Sequence, residues 1–152
     1  MRNNGFDPSK FMLMVVDDNT DTRNLAKKIL EYEGFQVILA SNGEEALQKI
    51  SVSDVDLVLL DVRMPHLNGF EVCSLIKNME GKEKIPLVIF FTVMSLNADK
   101  EKGDAVGGDG FLIKPFTALE LISYIKSKLK DNHVHREIVN DAITVKDFKT
   151  KI

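Results

Sequence analysis

The chain has 152 residues, enough for one domain with a full-sized core. Its hydrophobic share of 44% and charged share of 28% are ordinary for a globular protein, and a net charge of −3 disfavours direct contact with nucleic acid or anionic membrane, where clustered Lys and Arg are needed. No apolar stretch nears the roughly 20 residues of a membrane span. The amino terminus does not read as a secretion signal, and the lone Cys73 excludes an internal disulfide, so the expected location is the cytoplasm, without membrane insertion.

Residues 1–9 are polar, contain Gly5 and Pro8, and read as a flexible leader before a domain spanning 10–130. The apolar run Phe11-Met12-Leu13-Met14-Val15-Val16 then stops at Asp17-Asp18. Leu25, Ala26, Ile29 and Leu30 recur at helical spacing, with Gly34 as the stop. Residues 35–40 read as a second strand, and Ser41-Asn42-Gly43 as a turn into a helix carrying Ala46, Leu47 and Ile50. Leu57-Val58-Leu59-Leu60 stops at Asp61; a loop with Pro65 and Gly69 leads to a helix that turns Phe70, Cys73 and Ile76 inward. Leu87-Val88-Ile89-Phe90-Phe91 stops at Thr92. Residues 95–106 offer only Leu96, Ala98, Ala105 and Val106 as apolar anchors, which predicts a loosely held element. Gly110-Phe111-Leu112-Ile113 stops at Lys114-Pro115. A last helix from about Thr117 carries the stripe Ala118, Ile122, Ile125 and Leu129, with Leu121 and Tyr124 on its flank.

Five short apolar runs, each followed by helical periodicity, predict a doubly wound parallel α/β sheet covered by five helices. Ligands of such sheets bind at the carboxyl ends of the strands. There Asp17, Asp18, Asp61, Thr92 and Lys114 would converge. Any one of these acids alone reads as a turn residue or helix cap. Together, each at a strand end, they suit a hard Mg²⁺ ion and a phosphoryl group: oxygen ligands for the metal, a lysine for phosphoryl oxygens, and a hydroxyl as hydrogen-bond donor. A metal-neutralised aspartate could act as nucleophile and form an acyl phosphate.

From about residue 11 to 130 the chain resembles the receiver domain of two-component response regulators. The motifs that carry the resemblance are Val15-Val16-Asp17-Asp18-Asn19, Leu59-Leu60-Asp61-Val62-Arg63-Met64-Pro65 with Asn68-Gly69, Phe91-Thr92, and Phe111-Leu112-Ile113-Lys114-Pro115-Phe116. The resemblance implies a flavodoxin-like sheet of order 2-1-3-4-5, with Asp61 as the phosphoacceptor. Asp17 and Asp18 would be the metal acids, Asp18 and Asp61 would bind Mg²⁺ directly, and the Arg63 carbonyl would complete the protein ligands. Thr92 and Lys114 would contact phosphoryl oxygens, Phe111 would be the aromatic switch, and Lys114-Pro115 would be cis. The side chains of Arg63 and Met94 would border the path of a hydrolysing water. Two departures stand out: Val93 replaces a usually small residue, and Gly107-Gly108-Asp109 replaces the usual Gly-Ala-Asp.

The expected function is therefore that of a signalling phosphoacceptor. Its partner would be a histidine kinase or histidine phosphotransfer protein, its only chemistry self-catalysed phosphorylation and dephosphorylation, and its output face residues 95–106, the fifth strand and the last helix. The alternative is a receiver-like interaction module independent of phosphate. An aspartate-nucleophile phosphatase is disfavoured, because Arg63 stands where its second acid belongs. A flavodoxin is disfavoured because acids at the first strand end would repel its phosphate. His133 and His135 lack companions at zinc spacing. In residues 131–152, Val134, Ile138, Ala142, Val145, Phe148 and Ile152 predict an amphipathic tail or helical extension that packs on the domain or on a second copy as a homodimer.

Overall fold

The computed structural model describes residues 5–93 and 97–140, with side chains at 97 and 133–140 left out of the description. Five parallel strands, β1 (Met12–Val16), β2 (Gln36–Ala40), β3 (Leu57–Leu60), β4 (Leu87–Thr92) and β5 (Gly110–Ile113), form one sheet of order β2-β1-β3-β4-β5. They alternate with α1 (Thr20–Tyr32), α2 (Gly43–Ser51), α3 (Gly69–Lys77), α4 (Asn97–Ala105) and α5 (Ala118–Asn140). This is the flavodoxin-like topology expected, with strand limits within a residue or so of the apolar runs.

Side chains of a strand alternate between faces, and the two faces build two cores. On one face Met14, Val16, Val58, Leu60, Val88 and Phe90 meet Ala46 and Ile50 of α2 and Val72, Cys73 and Ile76 of α3. On the other, Leu13, Val15, Leu57, Leu59, Ile89 and Phe91 meet Ala26 and Leu30 of α1 and Leu121, Ile125 and Leu129 of α5. Burial on both faces explains why these strands are continuous apolar runs rather than alternating ones.

One local reading is corrected. On α5 the stripe against the sheet is Leu121, Ile125 and Leu129, all buried, whereas Ala118 is exposed. The buried stripe steps by four residues throughout, and Ile122, as large as Leu121, is only half-buried beside it. Tyr124, half-buried beside this stripe, reaches β5 instead, where its hydroxyl accepts the Phe111 N–H at 3.0 Å. Residues 5–9, the described part of the segment expected as a flexible leader, make contacts with the domain. Phe6 stacks on Phe11 with centroids 5.1 Å apart and sets its edge to Phe35 at 6.3 Å. Asp7 caps a short 3-10 turn, Pro8–Lys10, by accepting from the Ser9 N–H. The aromatic spacing across distant segments carries no periodic signal, so composition alone read these residues as loose.

Asparagines start three of the helices next to the sheet's carboxyl edge. Asn19, Asn42 and Asn68 accept the N–H groups of Thr22, Glu45 and Glu71, satisfying orphan donors of α1, α2 and α3. Glu71 completes a reciprocal capping box with Asn68. α5 continues past residue 130 to Asn140; the rest of the predicted tail stripe, from Ala142 to Ile152, lies outside the described residues.

Candidate phosphoryl and metal site

The ladder continues one residue past the ends of β1, β3 and β5. Asp17 N donates to Ala40 O, Asp61 N to Val16 O, and Lys114 N to Thr92 O. The backbones of the two acids and the lysine are thus fixed by sheet hydrogen bonds rather than by free loops. One carboxylate oxygen each from Asp17, Asp18 and Asp61 lies within 4.8 Å of the others, the only such acid group among the described residues. Asp17 is 1% exposed and Asp61 7%, while Asp18 faces solvent. Asp17 Oδ1 accepts the Asn19 N–H at 2.9 Å, and Arg23 donates to the Asp17 carbonyl at 2.6 Å.

Lys114 Nζ closes the cluster, 2.8 Å from Asp17 Oδ2 and 3.8 Å from Asp61 Oδ1. Its ammonium also stands over the Phe91 ring, 4.5 Å from the centroid, and the Lys114-Pro115 peptide is cis. Burial pushes the Asp61 carboxyl up to about 6, and repulsion from Asp17 adds to this; Lys114 pulls the other way, and Asp18 adds a smaller rise. The Arg63 backbone N–H, which favours the charged form, is bonded to this carboxylate. Three clustered carboxylates with one lysine between two of them form an oxygen-rich, electron-rich set. Such a set fits a hard divalent cation such as Mg²⁺, whose charge would relieve the repulsion.

The remaining predicted residues lie around this edge. Thr92, 1% exposed, ends β4. Phe111 is half-buried on β5, its ring 5.5 Å from that of Phe90. Val93 is 62% exposed, so its side chain stands in solvent. Met94 lies outside the described residues. The Arg63 guanidinium points away from the acids to Asp99 of α4, Nη2 to Oδ2 3.4 Å. Asp109 of the Gly-Gly-Asp segment accepts from the Val88 N–H and from Lys77, which ties the entry of β5 to β4 and α3.

Two residues that hold the site gave little advance notice. Gly69 starts α3 so close to the backbone of Asp61 that a Cβ there would sit 2.3 Å from the Asp61 carbonyl oxygen; its N–H donates to Val62 O. Its place in the Asn68-Gly69 pair was the available signal. Asp99, buried on α4, had none, because an acid in a polar segment reads as a solvated residue.

A doubly wound parallel sheet with an acid cluster, a threonine and a lysine gathered at its carboxyl edge defines an α/β domain whose candidate site lies where such sheets bind ligands. The model of the response regulator receiver domain matches residues 13–126, and the chain belongs to that family. It is 36% identical over 139 residues to the transcriptional regulatory protein YvrH of Bacillus subtilis, covering 91% of this chain and 57% of that protein. It is 37% identical over 115 residues to Protein PilG of Pseudomonas aeruginosa, covering 76% and 84%. It is 38% identical over 121 residues to the transcriptional regulatory protein CpxR of Escherichia coli, covering 80% and 50%. The chain thus spans about half the length of the two transcriptional regulators. Among solved structures, chemotaxis protein CheY4 of Vibrio cholerae aligns with a TM-score of 0.73 at 30% identity, covering 77% of this chain and 97% of that one. A CheY-like receiver domain from Methanospirillum hungatei aligns with a TM-score of 0.75 at 28% identity, covering 82% and 98%.

Proposed function

We propose that the chain is a signalling phosphoacceptor that takes a phosphoryl group onto Asp61 from the phosphohistidine of a histidine kinase or phosphotransfer protein. The observation that carries this reading is the meeting of Asp17, Asp18 and Asp61 within 4.8 Å beside Lys114. An Asp61 carboxylate oxygen attacks phosphorus, the new O–P bond forms as the N–P bond of the phosphohistidine breaks, and the imidazole leaves with the electron pair. Asp61 suits the role because its backbone is pinned by β1 and its carboxylate is largely shielded from water. Asp18 and Asp61, with the Arg63 carbonyl, would hold Mg²⁺, while Asp17 orients Lys114. When bound, the ion supplies charge neutralisation at phosphoryl oxygens. Lys114 swings from Asp17 to a phosphoryl oxygen, and Thr92 donates its hydroxyl to another.

Such chemistry is self-catalysed by the domain, with no further substrate turned over, and its setting is the cytoplasm, where kinase and donor act. Switching of the face built from α4, β5 and α5 is the output. Phe111 supports this: half-buried against Phe90, it lies on the strand paired with the one that Thr92 ends. No helix among the described residues is long and apolar enough to cross a membrane.

The test is incubation with acetyl phosphate and Mg²⁺ followed by intact-mass analysis. A single phosphoryl adduct is expected in the wild type and none with Asp61→Asn or after chelation of the metal. Equal uptake by Asp61→Asn would overturn the assignment.

A further inference from the structure

α4 is held in an unusual way. A surface helix normally docks through an apolar stripe. Among the described side chains of α4, the buried residues are Asp99 and Gly103. Gly103 lays the helix backbone directly on an aromatic pair: a Cβ there would stand 2.9 Å from Phe90 Cε2 and 3.3 Å from Phe111 Cε2. One turn earlier, Asp99 turns its carboxylate inward, its side chain only 13% exposed. It lies in the first turn of the helix, where the dipole favours an anion. Its cation is Arg63, in the loop after β3. Lys102, three residues further along α4, stands over the Phe70 ring at 5.9 Å.

We infer that the Arg63–Asp99 ion pair is a latch on α4, opened when a phosphoryl group on Asp61 takes the Arg63 guanidinium for itself. This rests on Asp61 being the phosphoacceptor. Arg63 is two residues from Asp61 and its side chain is 55% exposed, so it can swing. A cleft of about 330 Å³ lined by Arg63, Met64, Asn68, Phe70, Asp99 and Lys102 separates its loop from α4 and gives the guanidinium room. The contact to Asp99 is a single one at 3.4 Å. A phosphoryl group carries about −1.5 to −2 charge and accepts a guanidinium through two parallel hydrogen bonds, a stronger attraction than one carboxylate oxygen offers. Once Arg63 leaves, Asp99 is a largely buried carboxylate that has lost its ion-pair partner, and moving toward water relieves it. With no buried apolar side chain among its described residues, α4 has little to oppose that movement. The latch thereby links the phosphoryl site to the Phe111 face through one named pair.

Linkage makes the latch measurable from both ends. Beryllofluoride with Mg²⁺ serves as the phosphoryl probe on the full chain, its affinity measured by calorimetry. Asp99→Asn, which frees Arg63, should bind the probe about fivefold more tightly than wild type. In an Arg63→Ala background the same substitution should change nothing. Amide exchange over residues 98–106 should quicken in wild type when the probe binds, and should already be fast in Asp99→Asn without it. Unchanged or weaker binding by Asp99→Asn, or equal tightening without Arg63, overturns the latch. Should Asp99→Asn fail to fold, Arg63→Ala alone decides: its 98–106 amides must exchange, without probe, as fast as those of probe-bound wild type, and slow exchange sinks the proposal. Wild type that binds no probe sinks the phosphoacceptor reading and the latch with it. Tight binding with additive variants sinks the latch alone.

Discussion

Lys114 stands closer to Asp17 than to Asp61, 2.8 Å against 3.8 Å. The lysine therefore balances the charge of the more deeply buried acid and leaves the proposed nucleophile only partly compensated. This explains why burial, with help from Asp17, still holds the Asp61 carboxyl up at about 6.

Lys114→Met should accordingly cost stability as well as phosphorylation. It leaves the Asp17 carboxylate, 1% exposed, without its cation. Removing one partner of a buried pair costs about 3–5 kcal/mol in well-enclosed cases; here the 15% exposure of the lysine side chain lowers this to about 2–3 kcal/mol. Urea unfolding in chelator measures it. Added Mg²⁺ should recover part of the loss, because a cation again faces Asp17. A variant as stable as wild type in chelator would show that the pair contributes little.

The raised Asp61 value fixes the sign of a pH effect. The folded state holds this proton up to about 6, against an ordinary 3.8. Asp61 thus favours the fold fully below about 3.8, and this contribution is lost as pH rises through 6. In chelator, Asp61→Asn should exceed wild type in stability by about 1–3 kcal/mol at pH 7.5, and the gap should close towards pH 4. Paired melts at the two pH values check it. A gap that widens on acidification has the wrong sign and would refute the charge argument.

The sheet and most of the site were legible in the amino-acid order because their causes are local. A strand buried on both faces must be a continuous apolar run, and Asp17, Asp61, Thr92 and Lys114 each stand where such a run stops. The flank assigned to Leu121 failed because spacing alone does not say which of two neighbouring stripes meets the sheet: Leu121 and Ile122 are equally large and apolar, and it is Leu121 that joins Ile125 and Leu129 in the core. Asp99 and Phe6 were invisible for another reason. Their burial is created by partners distant in sequence, Arg63 in one case and Phe35 with Phe11 in the other.

Gly69→Ala should damage the site without touching a reacting group. The added Cβ would fall 2.3 Å from the Asp61 carbonyl oxygen and 2.8 Å from Val62 Cα, both backbone atoms, so α3 or the strand end must move. Overpacking of this kind costs about 1–3 kcal/mol. Displacement of Asp61 should also slow phosphorylation by acetyl phosphate. Gly81→Ala is the control: with φ +79 and nothing within 4 Å, it should carry only the strain of its left-handed backbone, about 1–2 kcal/mol, and leave the phosphorylation rate alone. Equal rates for Gly69→Ala and Gly81→Ala would mean that the close approach at residue 69 does not position Asp61.

Phe6 should matter to the fold although it precedes the first strand. Its ring joins Phe11 and Phe35 at the edge of the core shared by α1 and α5, and Lys130 Nζ of α5 lies 5.4 Å from its centroid. The residue thereby ties the start of β1 to α5 one residue past that helix's last buried leucine, Leu129. Full burial of a phenylalanine is worth 3–5 kcal/mol against alanine; half-buried Phe6 should lose about 1–3 kcal/mol in Phe6→Ala. Phe6→Leu, which keeps apolar area but not the stack or the cation–π contact, should lose about 0.5–1.5 kcal/mol. Deleting residues 1–9 should cost at least as much as Phe6→Ala, because it also removes the Asp7 cap and the Ser9 carbonyl that accepts from Gln36. Chemical denaturation of the three variants gives the order directly. A deletion as stable as wild type would return these residues to the status of a loose leader.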